Sequence, residues 1–363
     1  MIQEELKNRN LPKLLQMNDG TLCNTATLWE KRRAEILDLF SREVYGYMPT
    51  PPTDTTYHII STYDDAVAGF AIYYRIRITF STPKGPFSFD VEFYTPKTVI
   101  HVPLLLHLQF NDSPLHRVYP VEDIIKNGFA TMLVRYCDIM PDKNDFSQGL
   151  AGMYLKGNQR ESPTEWGAIG CWAFAASRIM DVIETMDFID SKRVAIIGHS
   201  RLGKTAMWCA ANDKRFALAV INASGNTGAS LSRGNEGETI EDITKMFPHW
   251  FCENYYKYAN HESEAPFDQH EIVAAIAPRG VYICSGDSDM WAGPKSEFLC
   301  ALAASPVYEM LGLKGLVTPD AFPLSETCMG DGLLAYSVHS GGHYIGRFEW
   351  ENIMKLMKNR YIN

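Results

Sequence analysis

The chain has 363 residues, 46% hydrophobic and 12% aromatic, enough to bury a large core in about one to three domains. Its formal charge is −9 and its Lys and Arg residues never gather into runs. That balance argues against nucleic acid or an anionic membrane as partner and points to a neutral or acidic substrate, small or polymeric.

The opening stretch MIQEELKNRNLPKLL has no basic segment leading into an apolar one, so no signal peptide is expected. As it stands the sequence reads as cytoplasmic, or as secreted if a leader precedes it. No apolar run reaches the ~18 residues of a membrane span. The eight cysteines (Cys23, Cys137, Cys171, Cys209, Cys252, Cys284, Cys300, Cys328) show no CxxC spacing, and several fall inside apolar patterns. They read as buried free thiols in a reducing compartment.

In chain order, Thr27–Val44 predicts a helix rich in Leu, Glu and Arg, stopped by the prolines at Pro49, Pro51 and Pro52. Residues 1–50 are expected to form a helical extension packed on a single domain that spans 1–363. Alternating patterns over Tyr73–Phe80 and Phe87–Tyr94, joined through Pro-Lys-Gly-Pro, predict an antiparallel hairpin. Nearly continuous apolar runs follow at Val102–Phe110, Ala130–Arg135, Arg193–Gly198, Ala217–Ile221, Gly280–Cys284 and Leu333–Val338. These suit strands covered on both faces, as in a parallel sheet. Helices are predicted between them at Glu165–Phe188, Pro294–Leu311 and Arg347–Arg360. The expected fold is α/β: a mostly parallel, doubly wound sheet with an antiparallel N-terminal hairpin, in a three-layer sandwich.

The segment Arg193–Ala211 runs strand, tight loop, helix, and two motifs overlap in it. One is a nucleophile elbow, which lifts a serine above the carboxyl edge of the sheet. Here Gly198-His199-Ser200-Arg201-Leu202-Gly203 departs from GxSxG, because Leu202 stands where the second glycine belongs. The other is a phosphate loop, GxxxxGK[ST], matched by Gly198, Gly203, Lys204 and Thr205. A phosphate loop also needs an acidic residue on a neighbouring strand for Mg²⁺, and the strand ending in Asn222-Ala223-Ser224-Gly225 offers none. The elbow requires an acid and then a histidine later in the chain, each after a strand. Asp287 and Asp289 meet the first condition; His343, behind Gly341-Gly342, meets the second. His339, inside a strand pattern, reads as a structural histidine. The elbow is favoured, and with it an α/β-hydrolase topology and nucleophilic catalysis by Ser200.

The segments VYGYMP (44–49), YCDIMPD (136–142), EWGAIGCWAFAASRIMD (165–181), GHSRLGKTA (198–206), FPHWF (247–251), PFDQHEIVAAIAPR (266–279), DMWAGP (289–294) and GGH (341–343) resemble carbohydrate esterase family 15. These are the glucuronoyl esterases and their bacterial relatives often labelled acetylxylan esterases. The resemblance covers the chain from about Leu22 onward. It implies a serine carboxylesterase that cleaves esters of (4-O-methyl-)glucuronic acid on xylan or xylo-oligosaccharides through an acyl-enzyme. It implies no cofactor and no metal; no nucleic-acid or membrane partner is expected from the charge, and a monomer is expected. Ser200 is then the nucleophile, His343 the base and Asp289 the acid. Arg201 joins the oxyanion hole, and Lys204, Glu238 and Trp291 hold the sugar. Many members carry the acid as a Glu at the position of Ala223, so this chain is expected to depend on Asp289. A second backbone oxyanion donor is expected near Asn111-Asp112. The alternatives are a xylan or oligosaccharide deacetylase and, in another class, a phosphate-loop nucleotide-binding protein.

Overall fold

The computed structural model describes residues 2–98, 101–110 and 119–361. Ten strands form one mixed sheet among these residues: β1 (Thr56–Ala66), β2 (Ala71–Thr82), β3 (Gly85–Pro96), β4 (Val102–Gln109), β5 (Ala130–Arg135), β6 (Ile189–His199), β7 (Leu218–Asn222), β8 (Gly280–Gly286), β9 (Thr327–Met329) and β10 (Leu334–His339). Their order is β1-β2-β3-β5-β4-β6-β7-β8-β10-β9. The six strands from β5 to β10 in that order run parallel, while β1, β2 and β3 form an antiparallel meander. The helices used below are α1 (Ile2–Asn8), α2 (Ala26–Phe40), α3 (Val121–Lys126), α4 (Ala168–Ile183), α5 (Arg201–Asn212), α6 (Pro294–Met310) and α7 (Arg347–Tyr361).

The parallel strands are buried along nearly their whole length because helices cover both faces. Alternate side chains feed two cores. Leu104, Leu106, Val194, Ile196, Ala219 and Ile221 pack with α2, α4, α5 and α6. Leu105, Ala195, Ile197, Leu218 and Val220 pack on the other face with α3 and α7. This is a three-layer α/β/α sandwich. The chain from Ile2 to Tyr45 contributes Ile2, Leu14, Trp29, Ile36, Phe40 and Tyr45 to the first core. It is tied there by an Arg32–Glu271 ion pair (2.6 Å), an Arg33 bond to the Ala275 carbonyl (2.7 Å) and a Tyr45 hydroxyl bond to the Thr227 carbonyl (2.5 Å).

The predicted hairpin has the expected register, with Tyr73 opposite Tyr94 and Phe80 opposite Phe87. Two boundaries differ for identifiable reasons. α2 stops at Phe40, and a π-helical turn over Ser41–Tyr45 ends at Gly46, whose φ of 82° suits glycine; a Cβ there would lie 2.3 Å from Trp166 Cα. Gly46, ahead of the prolines, therefore ends the helical run. α4 begins only at Ala168 because Gly167 passes too close to the Trp250 carbonyl for any side chain, 2.2 Å from a would-be Cβ. All eight cysteines are free, six of them buried.

Candidate active site

β6, β7, β8 and β10 end on the same side of the sheet, and the loops leaving them surround one cavity of about 250 Å³. Ser200 sits on the turn from β6 into α5 with φ 58° and ψ −128°, a conformation that costs a non-glycine residue of order 1–3 kcal/mol. Three backbone hydrogen bonds hold it: Ser200 N to Asn222 O (2.8 Å), Gly203 N to Ser200 O (2.8 Å) and Lys204 N to Ser200 O (3.2 Å). A Cβ at 198 would fall 1.9 Å from the Leu202 carbonyl, so the first glycine is obligatory. The second crowded point is 203, where a Cβ would meet Asn222 O and Ser224 Cβ at 3.1 Å. The side chain of Leu202, by contrast, is fully buried in the core. Thus the glycine belongs at 203 in this elbow and a large apolar side chain at 202.

The same geometry removes the phosphate-loop alternative. α5 begins at Arg201, so Gly203, Lys204 and Thr205 lie inside the helix instead of in a loop ahead of it. Their amides and hydroxyls serve the helix, as in the Thr205 Oγ1 bond to Arg201 O (3.0 Å), and do not cradle an anion.

His343 Nδ1 lies 2.6 Å from Asp289 Oδ2. Asp289 is 7% exposed, whereas the His343 side chain is 41% exposed and lines the cavity together with Ser200. His343 Nε2 has no hydrogen-bond partner among the described residues, and no bond joins it to Ser200 Oγ; such contacts often close only with substrate. Asp287 points elsewhere. It accepts the Gly341 amide (2.9 Å) and the hydroxyls of Ser288 and Ser325, and these bonds, led by the one from Ser325, hold its carboxyl down at about 2. His339 is buried between Glu349 (Nδ1 to Oε1, 2.8 Å) and the Gly342 carbonyl (Nε2 to O, 3.0 Å). Asp287 and His339 thus fasten the loop that presents His343. Ala223, at the end of β7 with φ 43°, contributes only a methyl group beside the cavity.

Arg201 stacks its guanidinium over the Trp250 ring, 4.6 Å from the centroid, and is hydrogen-bonded through Nη1 to Asp142. As the first residue of α5, its amide has no acceptor within the helix and remains available beside the nucleophile. Lys204 is 2% exposed. Its ammonium donates to Ser224 O (2.5 Å), to Asn226 O and to Glu238 Oε2 (3.2 Å), which uses its three protons. Burial pushes its pKa down, and Glu238 opposes that shift. Glu238 is 5% exposed and reaches the cavity wall beside Lys204. Trp291 is 50% exposed on the same rim, not packed in the core. Phe247 and Trp250 stack at 3.9 Å to form another wall, whereas Phe251 and Tyr255 are buried core residues. The segment expected to carry a second oxyanion donor, Asn111-Asp112, lies outside the described residues. No group of three or more His, Cys, Asp or Glu side chains is placed to hold a metal ion among the described residues.

A family model described as glucuronyl esterase, fungi, matches residues 78–312, nearly two thirds of the chain. The chain belongs to the glucuronoyl esterase family. It is 34% identical to a carbohydrate esterase from an unknown prokaryotic organism, over 96% of this chain and 89% of that one. It is 27% identical to 4-O-methyl-glucuronoyl methylesterase 1 of Wolfiporia cocos, over 84% and 73% of the two chains. Among solved structures it superposes on the glucuronoyl esterase of Solibacter usitatus with a TM-score of 0.90, at 35% identity and 97% and 98% coverage. It also superposes on that of Teredinibacter turnerae with a TM-score of 0.89, at 28% identity and 98% and 90% coverage.

Within this glucuronoyl esterase scaffold, three contributors escaped the motif reading. His199, the residue before the nucleophile, bonds Asn222 Oδ1 (2.6 Å) and packs its ring 4.5 Å from that of His343. Burial, and then the nearby His343, lower its pKa to about 4, so it stands neutral beside the base. Glu297, at the start of α6, accepts the amides of Ser224 (2.7 Å) and Gly225 (3.1 Å) and the Ser285 hydroxyl (2.5 Å) from beneath the β7 loop. Asp142 grips Arg201. None of these contacts has a local signal in sequence, because each joins segments far apart in the chain.

Proposed function

We propose that this protein hydrolyses esters of glucuronic acid carried on xylan or xylo-oligosaccharides, through an acyl-enzyme on Ser200. The observation that carries the reading is that the cavity lined by Ser200 and by His343, which Asp289 holds, is also lined by a buried cation–carboxylate pair, Lys204–Glu238, and by the exposed Trp291. Its volume of about 250 Å³ is on the scale of a single sugar ring, and a longer chain would run across the rim. Trp291 offers that ring a flat apolar face. Glu238 offers its hydroxyls an acceptor, held in place by Lys204.

In this mechanism Ser200 Oγ attacks the uronate carbonyl carbon while His343 Nε2 takes its proton, the ring being held in the right tautomer by Asp289 on Nδ1. The Arg201 amide and guanidinium stabilise the charge that builds on the carbonyl oxygen, each such donor being worth about 3 kcal/mol. The tetrahedral species collapses by breaking the bond to the alcohol oxygen, which leaves with the proton from His343. Water, deprotonated by the same histidine, then releases the free uronate from Ser200. No cofactor takes part in these steps.

Glu238→Gln separates this reading from that of a deacetylase. It keeps the side chain's shape and leaves Lys204 its two carbonyl acceptors. A charged hydrogen bond is worth ~1.5–3 kcal/mol, so kcat/KM for benzyl glucuronate is expected to fall about 10- to 100-fold. Hydrolysis of 4-nitrophenyl acetate, which has no sugar to hold, is expected to be unchanged. An equal loss on both esters would show damage to the elbow instead of lost sugar recognition.

A further inference from the structure

The Arg201 guanidinium can act on the reacting ester only if it is held in one orientation. The rings of Trp250 (4.6 Å), Phe247 (5.2 Å) and Phe110 (5.7 Å) enclose it but offer no directional acceptor. The direction is set by Asp142, seven residues beyond the end of β5. Asp142 Oδ1 accepts His249 Nε2 and Trp250 Nε1, both at 2.7 Å. Its Oδ2 accepts the Tyr136 hydroxyl (3.1 Å) and Arg201 Nη1. Burial disfavours its charge, but the His249 and Trp250 hydrogen bonds and then the Arg201 cation outweigh that and hold the carboxyl well below the usual range. Trp250 therefore serves twice, as the floor under Arg201 and as a donor to the carboxylate that aims it.

Asp142 is also economical in what it leaves open. Of the three guanidinium nitrogens, Nη1 alone has a protein acceptor among the described residues, and Nε is buried without one. Leaving a buried donor unmet is costly, so a merely structural arginine is expected to be more fully partnered. The side chain borders the cavity next to Ser200. We propose that Asp142 is a positioning residue for the Arg201 guanidinium, preorganising Nη2, which has no acceptor among the described residues and is not buried, for the oxyanion formed when Ser200 attacks. The inference rests on the esterase reading above, though not on the identity of the sugar.

A double-substitution cycle tests it, with benzyl glucuronate and 4-nitrophenyl acetate as parallel substrates. Asp142→Asn keeps the side chain's size but lacks the charge and one acceptor oxygen. A misplaced catalytic group costs on the order of 10²-fold, so kcat is expected to fall by about that factor with KM unchanged. In an Arg201→Ala background the same substitution is expected to change kcat by less than about twofold, because the group it positions is gone. An equal loss in both backgrounds, or no loss in either, overturns the proposal. If Asp142→Asn does not fold, Trp250→Phe keeps an aromatic floor and removes one donor to Asp142. It is expected to give a smaller kcat loss that again vanishes without Arg201, and a loss that persists overturns the proposal. Activity on the acetate alone would sink the uronate reading while leaving the cycle interpretable.

Discussion

Ser200→Ala is expected to lower kcat on a glucuronate ester by about 10⁶-fold, with KM little changed. The hydroxyl is the one group whose loss removes covalent catalysis while leaving its surroundings intact. The elbow's three backbone bonds involve no side-chain atom of Ser200, and an alanine can occupy the same backbone conformation as readily as the serine. Arg201, Lys204, Glu238 and Trp291 would still line the cavity. The variant should therefore bind substrate and retain only the ~10³–10⁴-fold advantage over water that an oxyanion hole and binding supply without a nucleophile. Steady-state kinetics with benzyl glucuronate, beside a binding titration on the inactive variant, checks both halves. A variant that keeps more than about a thousandth of wild-type kcat would place the nucleophile elsewhere.

Asp289→Asn is expected to cost about 10⁴-fold in kcat at unchanged stability, whereas Asp287→Asn should leave the rate within a few-fold. Asp289 is buried and makes a 2.6 Å bond to His343 Nδ1. An asparagine turned to donate there forces the proton onto Nε2, and that nitrogen then cannot accept the Ser200 proton. Among the described residues nothing nearby compensates, since Ala223 has no carboxyl group and Asp287 is engaged with Gly341, Ser288 and Ser325. Asp287→Asn should instead loosen the 341–343 loop, which appears as a lower denaturation midpoint. The reverse outcome, with Asp287→Asn the slower enzyme, would move the acid to position 287.

These two expectations differ in how far they were legible beforehand. Ser200 and His343 could be read from order and context, as a serine on a strand-to-helix turn and a histidine behind two glycines after a later strand. The choice of Asp289 over Asp287 could not be made from the residues alone, because both follow the same strand two positions apart. It depends on a turn in which the Asp289 amide bonds the Gly286 carbonyl (3.1 Å) and reverses the chain. The resemblance to a family of known esterases, and not the local pattern, favoured 289.

The same division runs through the fold. β4 to β8 and β10 were visible because burial on both faces demands an unbroken apolar run. β1 was missed because it is an edge strand exposed over ten of its eleven residues, so TYHIISTYDDA carries no core imprint. β9 has three residues, too few for any periodic signal. In the site, Lys204 was identified as a sugar-binding residue, but its saturation by two loop carbonyls and Glu238 depends on the irregular backbone after β7, where Ala223, Gly225 and Thr227 all have positive φ. On the proposed reading, Lys204 would serve the sugar mainly by holding Glu238 in place.

The most direct measurement uses a xylo-oligosaccharide that carries both acetyl groups and a methyl ester on its 4-O-methylglucuronic acid, followed by NMR as the wild-type protein acts on it. Methanol and free uronate should appear while the acetyl signals persist. Release of acetate with the methyl ester left intact would contradict the assignment of this site to uronate esters.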